Sequence, residues 1–236
     1  MKVWRFHLRH LNYIFNNIIF PSFSLLEAVI KQKLLIKKIP QLQNFIILEK
    51  NFTPKLQKYY KQYVSQVSND SMAISFKSSI FLISILYILE PKSFLDLGSG
   101  FSSFLARFYL KITKHQFSVW SIDNSSEWLE KTNNFLNMHN LNTENLLTWK
   151  EFIKENKPTF DFIFYDLGNM EVRKKNLIKV LNLTHTGSIV ILDDIHKNQY
   201  RKYAINLLKN LKFKYYNLKY LTEDGFGRYL MLAMKK

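Results

Sequence analysis

Downstream of Pro91 the sequence alternates, five times over, between short apolar runs and segments whose apolar residues recur at helical spacing. The apolar runs fall at 93–97, 117–122, 145–149, 160–165 and 188–192. The helical segments fall at 102–113, 125–138, 150–156, 170–182 and 197–210. Strands each followed by a helix lie parallel in one sheet, with helices covering both of its faces. Two last runs, at 213–221 and 226–234, are separated only by Thr222 to Gly225. So short a connection allows an antiparallel pair and no parallel crossover. The expected fold is α/β, a seven-stranded, mostly parallel sheet with a reversed last strand.

The first 90 residues follow another grammar. All six glycines lie at Gly98 or later, so the N-terminal part has few sharp loops and reads as helical. Pro21, Pro40, Pro54 and Pro91 divide it, giving helix candidates at 4–18, 22–38, 54–67 and 73–89. The expected organisation is a helical N-terminal extension over 1–90 and an α/β domain over 91–236.

Composition narrows the chemistry. The chain has no cysteine, which excludes disulfide frameworks, thiolate zinc sites and a cysteine nucleophile. Its net charge of +16 invites a polyanion, yet residues 1–90 carry 12 Lys/Arg against 4 Asp/Glu and residues 91–236 carry 22 against 14, an excess of 8 in each part. An excess spread so evenly reads as general composition rather than a nucleic-acid-binding arm. No segment reaches the ~18–20 apolar residues of a membrane span; the longest run is 80–89. Lys2, Arg5 and Arg9 precede no clean apolar block with a cleavage site, so a cytoplasmic location is expected. Peripheral membrane contact through the N-terminal region stays open, as does a homodimer. The aromatic sets Trp4-Arg5-Phe6 and Tyr59, Tyr60 and Tyr63 suit such a surface or an acceptor pocket, but at helical spacing we read them as core.

The most informative stretch is FLDLGSGFSS (94–103), an apolar strand that enters Gly-Ser-Gly and leaves as a helix. Glycines let the backbone turn sharply and approach a ligand, and the helix N-terminus supplies oriented N–H donors. A phosphate loop would need GxxxxGK[ST], which is absent. A dinucleotide loop would need a third glycine where Ser103 stands. S-adenosylmethionine is the third candidate, because Asp96 just before the glycines suits its ammonium group. A tight turn with no ligand is the plain alternative. The next strand ends in WSID (120–123), placing Asp123 where a carboxylate accepts hydrogen bonds from both ribose hydroxyls of an adenosine. Taken alone, Asp123 could instead cap the following helix, as could Asn124, Ser125 or Ser126, but loop and acid together at this spacing point to a ligand.

FLDLGSG (94–100), WSID (120–123), FDFIFYD (160–166), GSIVILDD (187–194) and the terminal GFGRYLML (225–232) occur in the order in which similar pieces occur in the class I S-adenosylmethionine-dependent methyltransferases, and the chain resembles that superfamily over about 145 residues. The resemblance implies a Rossmann-like fold with S-adenosylmethionine as cofactor. It implies that Asp96, Gly98, Ser99, Gly100 and Ser102 hold the methionine portion and that Asp123, with Asn124, holds the ribose. Trp149, at the end of the third strand, would contact the adenine. Asp166, at the end of the fourth, would stand where donor meets acceptor. GSGFSS followed by SSEWLE resembles bacterial enzymes acting on small molecules or glycans, which implies O-methylation of such an acceptor. The segment 71–75 is expected to reach over the donor.

Asp166, Asp193 and Asp194 should share the C-terminal edge of the sheet, and two readings compete for them. They could bind Mg²⁺, as the resemblance to catechol-type O-methyltransferases implies, although those carry Asp-Asn where this chain has Asp193-Asp194. Alternatively no metal binds: Asp166 or His196 is the general base, while Asp193 and Asp194 position the acceptor. We prefer the metal-free reading, with Asp166, His196 and Asp194 as catalytic candidates. Two rivals remain. An RNA-directed methyltransferase would use the basic surface, although Tyr165-Asp166-Leu167-Gly168 lacks the Pro-Pro motif of base N-methylation. A non-catalytic S-adenosylmethionine-binding module would keep the fold without turnover.

Overall fold

The computed structural model describes residues 20–155 and 159–236, which fall into two compact units divided between Gln43 and Asn44. The helix candidate at 4–18 and the Trp4-Arg5-Phe6 set lie outside the described residues. In the first unit, α1 spans Phe20–Lys38 and a short 3₁₀ turn follows at Pro40–Leu42. Lys37 and Lys38 occupy the last turn of α1, where the helix dipole favours cations.

The second unit begins well before Pro91. It contains α2 (Phe45–Gln66) and α3 (Phe76–Leu89), then the sheet and its helices. Pro54 lies inside α2 rather than opening a helix, which corrects the 54–67 expectation. A proline in a helix interior costs ~3 kcal/mol. Phe45, Leu48, Phe52, Leu56 and Tyr63 are buried along one face of that helix, and each buried side chain of this size contributes roughly 1.5–3 kcal/mol, enough to outweigh the proline. Helix α3 is apolar nearly all round and buried from Ser78 to Leu86. Its first turn is capped by Ser75, whose side chain accepts from Ser78 N. Among the described residues no helix is long and apolar enough to cross a membrane.

The sheet has seven strands: β1 (Ser93–Leu97), β2 (Ser118–Asp123), β3 (Leu146–Thr148), β4 (Phe160–Tyr165), β5 (Thr184–Leu192), β6 (Phe213–Asn217) and β7 (Met231–Lys235). Their order is β3-β2-β1-β4-β5-β7-β6, parallel except for β7, which runs antiparallel to both of its neighbours. The Rossmann-like sheet with a reversed last strand is therefore present as expected. Between β1 and β2 lies α4 (Phe101–Thr113), between β2 and β3 α5 (Ser126–Met138), and after β3 the short α6 (Trp149–Phe152). Helix α7 (Met170–Leu181) precedes β5, α8 (Asn198–Asn210) precedes β6, and α9 (Lys219–Thr222) lies between β6 and β7. The final pair is shorter than its apolar runs suggest. Residues after Asn217 turn helical because Leu218 O accepts from both Leu221 N and Thr222 N, and Thr222 Oγ1 then takes Leu230 N. Successive strands proceed outward from β1 to β2 to β3, whereas β4 starts on the other side of β1. That reversal opens a crevice at the carboxyl ends of β1 and β4, where open α/β sheets bind ligands.

Candidate active site

Strand register brings the expected residues into one row. Leu97 pairs with Ile122 on one side and Tyr165 on the other, and Tyr165 pairs with Leu192. The next residue of each strand or turn, namely Asp123, Gly98, Asp166 and Asp193, therefore stands at the same edge. Hydrogen bonds from Gly98 N to Ile122 O (2.8 Å) and from Asp166 N to Leu97 O (2.6 Å) lock the row. Gly98 has φ +103°, and a Cβ there would run into the Asp166 carbonyl, so only glycine fits. A Cβ on Gly100 would lie 2.7 Å from Tyr63 Oη on α2.

A cavity of about 370 Å³ opens over this loop. Gly98, Ser99, Gly100, Ser102, Asp123, Asn124 and Asp166 all line it, so the structure brings together seven of the nine residues expected to hold the cofactor. Asp123 is 6% exposed. Its Oδ2 accepts from Ser99 N (2.9 Å) and Ser99 Oγ (3.2 Å), and its Oδ1 accepts from Ser125 N (2.9 Å). Burial pushes its pKa up, while these donors oppose the rise. The carboxylate thus steadies the glycine loop and the turn into α5, whose cap is Ser125, while it lines the cavity wall. A carboxylate has about four lone-pair sites, so capacity remains for ribose hydroxyls.

Two expected residues are elsewhere. Asp96 is wholly buried beneath the loop and does not line the cavity. Its Oδ2 accepts from Ser103 Oγ and, at 3.4 Å, from Ser121 Oγ, while Oδ1 has no partner. Burial raises its pKa to about 7, against the Ser103 and Ser102 hydroxyls and the nearby Arg107. Asp96 therefore presents no oxygen to the cavity and acts on it only through the loop it supports. Trp149 packs on the core against Phe152, with ring centroids 5.8 Å apart, because the short α6 turns its side chain inward. The indole on the cavity wall belongs instead to Trp128, in the first turn of α5, where Ser125 caps Trp128 N. Tyr63, Met72, Ala73 and Ile74 complete the wall, so the segment 71–75 does reach over the site.

A second cavity of about 390 Å³ shares Met72, Asp166 and Arg173 with the first and adds Asp193, Asp194, His196, Lys197, Phe226 and Arg228. The three acids do meet here, around a cation that sequence reading passed over. Arg173 pairs with Asp166 Oδ1 and, at 2.9 Å, with Asp194 Oδ2, and its side chain is only 8% exposed. Burial and the two neighbouring aspartates push Asp166 well above the carboxylate range despite Arg173. Burial and Asp194 raise Asp193 to about 6. Burial also works against ionisation of Asp194, yet Arg173 and Lys197, the latter at 2.6 Å, hold it below the ordinary value. Asp194 is thus committed to ion pairs and is a poor base. Burial lowers the pKa of His196, whose Nδ1 lies 3.5 Å from Asp194 Oδ1 and makes no hydrogen bond. Among the described residues no group of three or more His, Asp or Glu side chains is arranged to hold a metal ion. The acids as they stand do not fit Mg²⁺, because a guanidinium sits among them.

No protein-family model matches the sequence, and no curated protein matches it. Solved structures do match. The O-methyltransferase from Bacillus cereus in complex with SAH (S-adenosylhomocysteine) has a TM-score of 0.60 at 16% identity, over 79% of this chain and 91% of its own. The SAH-bound methyltransferase PaMTH1 of Podospora anserina has a TM-score of 0.61 at 14% identity, over 77% and 87%. The tRNA (m1A58) methyltransferase TrmI of Aquifex aeolicus has 0.52 at 18% identity, over 70% of each chain. Likeness at these identities speaks for architecture alone, and a tRNA-modifying enzyme shares it. The chain has the fold of the class I S-adenosylmethionine-dependent methyltransferases.

Proposed function

We propose that the chain is an S-adenosylmethionine-dependent O-methyltransferase whose acceptor is a small polar molecule or glycan. The observation that carries the reading is the junction of two cavities at Asp166 and Arg173: one is walled by the glycine loop and Asp123, the other by acids and His196. When bound, S-adenosylmethionine supplies a methyl group on a positively charged sulfur. The chain's residues do the rest. Loop amides and the N-terminus of α4 receive the methionine portion, Asp123 accepts the ribose hydroxyls, and Trp128 offers an aromatic face to the base. Asp193 lines the second cavity, and burial and Asp194 raise its pKa to about 6, which makes it a better proton acceptor than an ordinary carboxylate; His196, its pKa lowered by burial, lines the same cavity. With the donor bound, most of the acceleration would come from positioning the acceptor hydroxyl against it.

Calorimetric titration with S-adenosylmethionine and S-adenosylhomocysteine tests the reading. The wild type should bind both in the micromolar range, and Asp123→Ala should weaken both by at least about tenfold, the loss expected of charge-assisted hydrogen bonds. A folded wild-type protein that binds neither ligand would sink the proposal.

A further inference from the structure

Arg173 sits in the first turn of α7, whose start is fixed by Asn169: its side chain accepts from Glu171 N and Val172 N, and its carbonyl accepts from Arg173 N. Side chains on a helix lean toward its N-terminus, so Arg173 projects back to the sheet edge. There its donors are almost fully engaged. Nε donates to Gly168 O (3.1 Å), Nη1 to Asp194 Oδ2 (2.9 Å), and Nη2 to Asp166 O (3.1 Å), with Asp166 Oδ1 beside it. Tyr165 Oη donates to the Arg173 carbonyl, which holds the helix turn against β4. The acids have matching commitments: Asp194 Oδ2 also takes Lys197 Nζ, and Asp193 Oδ1 takes Asp194 N.

We infer that the Arg173 guanidinium occupies, as a fixed organic cation, the place in which Asp166, Asp193 and Asp194 would otherwise gather a divalent metal. The native site therefore excludes such ions and gains one only when the guanidinium is removed. Magnesium demands oxygen ligands at about 2.0–2.1 Å in near-octahedral array. Here one oxygen of each aspartate is already bound to a protein donor, and two of those oxygens face one planar fork. Arginine stays protonated at any working pH, so it cannot give way by losing its charge. It also lines both cavities, so the cation that fixes the acids stands at their junction. The inference concerns the carboxylate cluster itself and holds whether or not the chain transfers methyl groups.

Mn²⁺, read by electron paramagnetic resonance, is the probe. Wild-type protein should leave the free-ion spectrum unchanged at millimolar concentrations. Arg173→Met should bind the ion at least about tenfold more tightly than wild type, and Arg173→Met combined with Asp194→Asn should lose that binding. If Arg173→Met is only partly folded, Mn²⁺ should raise its melting temperature and leave that of the wild type unmoved, since a ligand of the folded state stabilises by mass action. Wild-type binding abolished by Asp194→Asn would overturn the inference. So would a folded Arg173→Met that binds no better than wild type, or a partly folded one that Mn²⁺ does not stabilise. The S-adenosylhomocysteine titration above is a separate readout, so failure of one proposal is not mistaken for failure of the other.

Discussion

Gly98 concentrates the demands of the site in one residue. Its left-handed φ and the abutting Asp166 carbonyl leave no room for a side chain. Gly98→Ala should therefore add strain of about 1–3 kcal/mol and push β1 and β4 apart where they meet. The expected result is a melting temperature lower by roughly 2–12 °C and S-adenosylhomocysteine binding lost in calorimetry. Gly225, whose added Cβ would meet nothing within 4 Å, is the control, and Gly225→Ala should change neither. An unchanged Gly98→Ala would remove the close approach from the account. The same logic explains which site residues the sequence revealed. Gly98, Gly100 and Asp123 were legible because backbone geometry admits few alternatives there. Arg173 was not, being one of 34 Lys and Arg in a chain basic throughout. Trp128 and Trp149 both follow strand ends, and only the direction of a helical turn decides that the first faces the cavity and the second faces Phe152. Asp96 lies on the strand as expected, but the pleat aims it at Ser103 beneath the loop.

At the scale of elements, the parallel core was the most legible part. β1 and β4 span the residues that their apolar runs mark, since both are buried strands bounded by turn residues. Where local pattern and tertiary packing disagreed, packing prevailed, as at Pro54 within α2 and at the helical turn after Asn217. The loop between β6 and β7 has a role that no local pattern announces. Arg228, anchored by Asp224 at 2.6 Å, donates to the carbonyls of Asp70 (2.9 Å), Ser71 (2.8 Å) and Ala73 (3.1 Å). It ties the segment over the first cavity to the rim of the second cavity. Arg228→Ala should free that segment while leaving the sheet intact. Hydrogen exchange should quicken at the Met72 and Ala73 amides, which bond to Asn69 O, and stay slow in β1 and β4. Affinity for S-adenosylhomocysteine should fall several-fold. Unaltered exchange over 70–74 would show that the segment is held by its own packing instead.

For the whole molecule, the buried acids set how stability responds to pH. Asp96 is wholly enclosed, leaves one oxygen unpartnered and titrates near 7 in the folded chain, whereas the same group in the unfolded chain titrates near 3.9. Between those values the folded state holds a proton that the unfolded state has released. Stability from this group is therefore fully present below about pH 4 and is lost as pH rises through about 7. Asp193, raised to about 6, contributes with the same sign, and Asp194, held below its ordinary value, with the opposite one. The net charge of +16 obscures any single curve, because acidification adds positive charge to a molecule already repelling itself. The difference between two proteins isolates the effect. Asp96→Asn replaces the carboxyl with an uncharged group of the same shape that can still meet Ser103. The margin by which its melting temperature exceeds that of the wild type should be wider near pH 8 than near pH 5, by several degrees for a difference of ~2 kcal/mol. Equal loss of stability at both pH values would mean that Asp96 is held ionised by Arg107 and Ser103, and that the loop rests on a buried charge rather than on a proton.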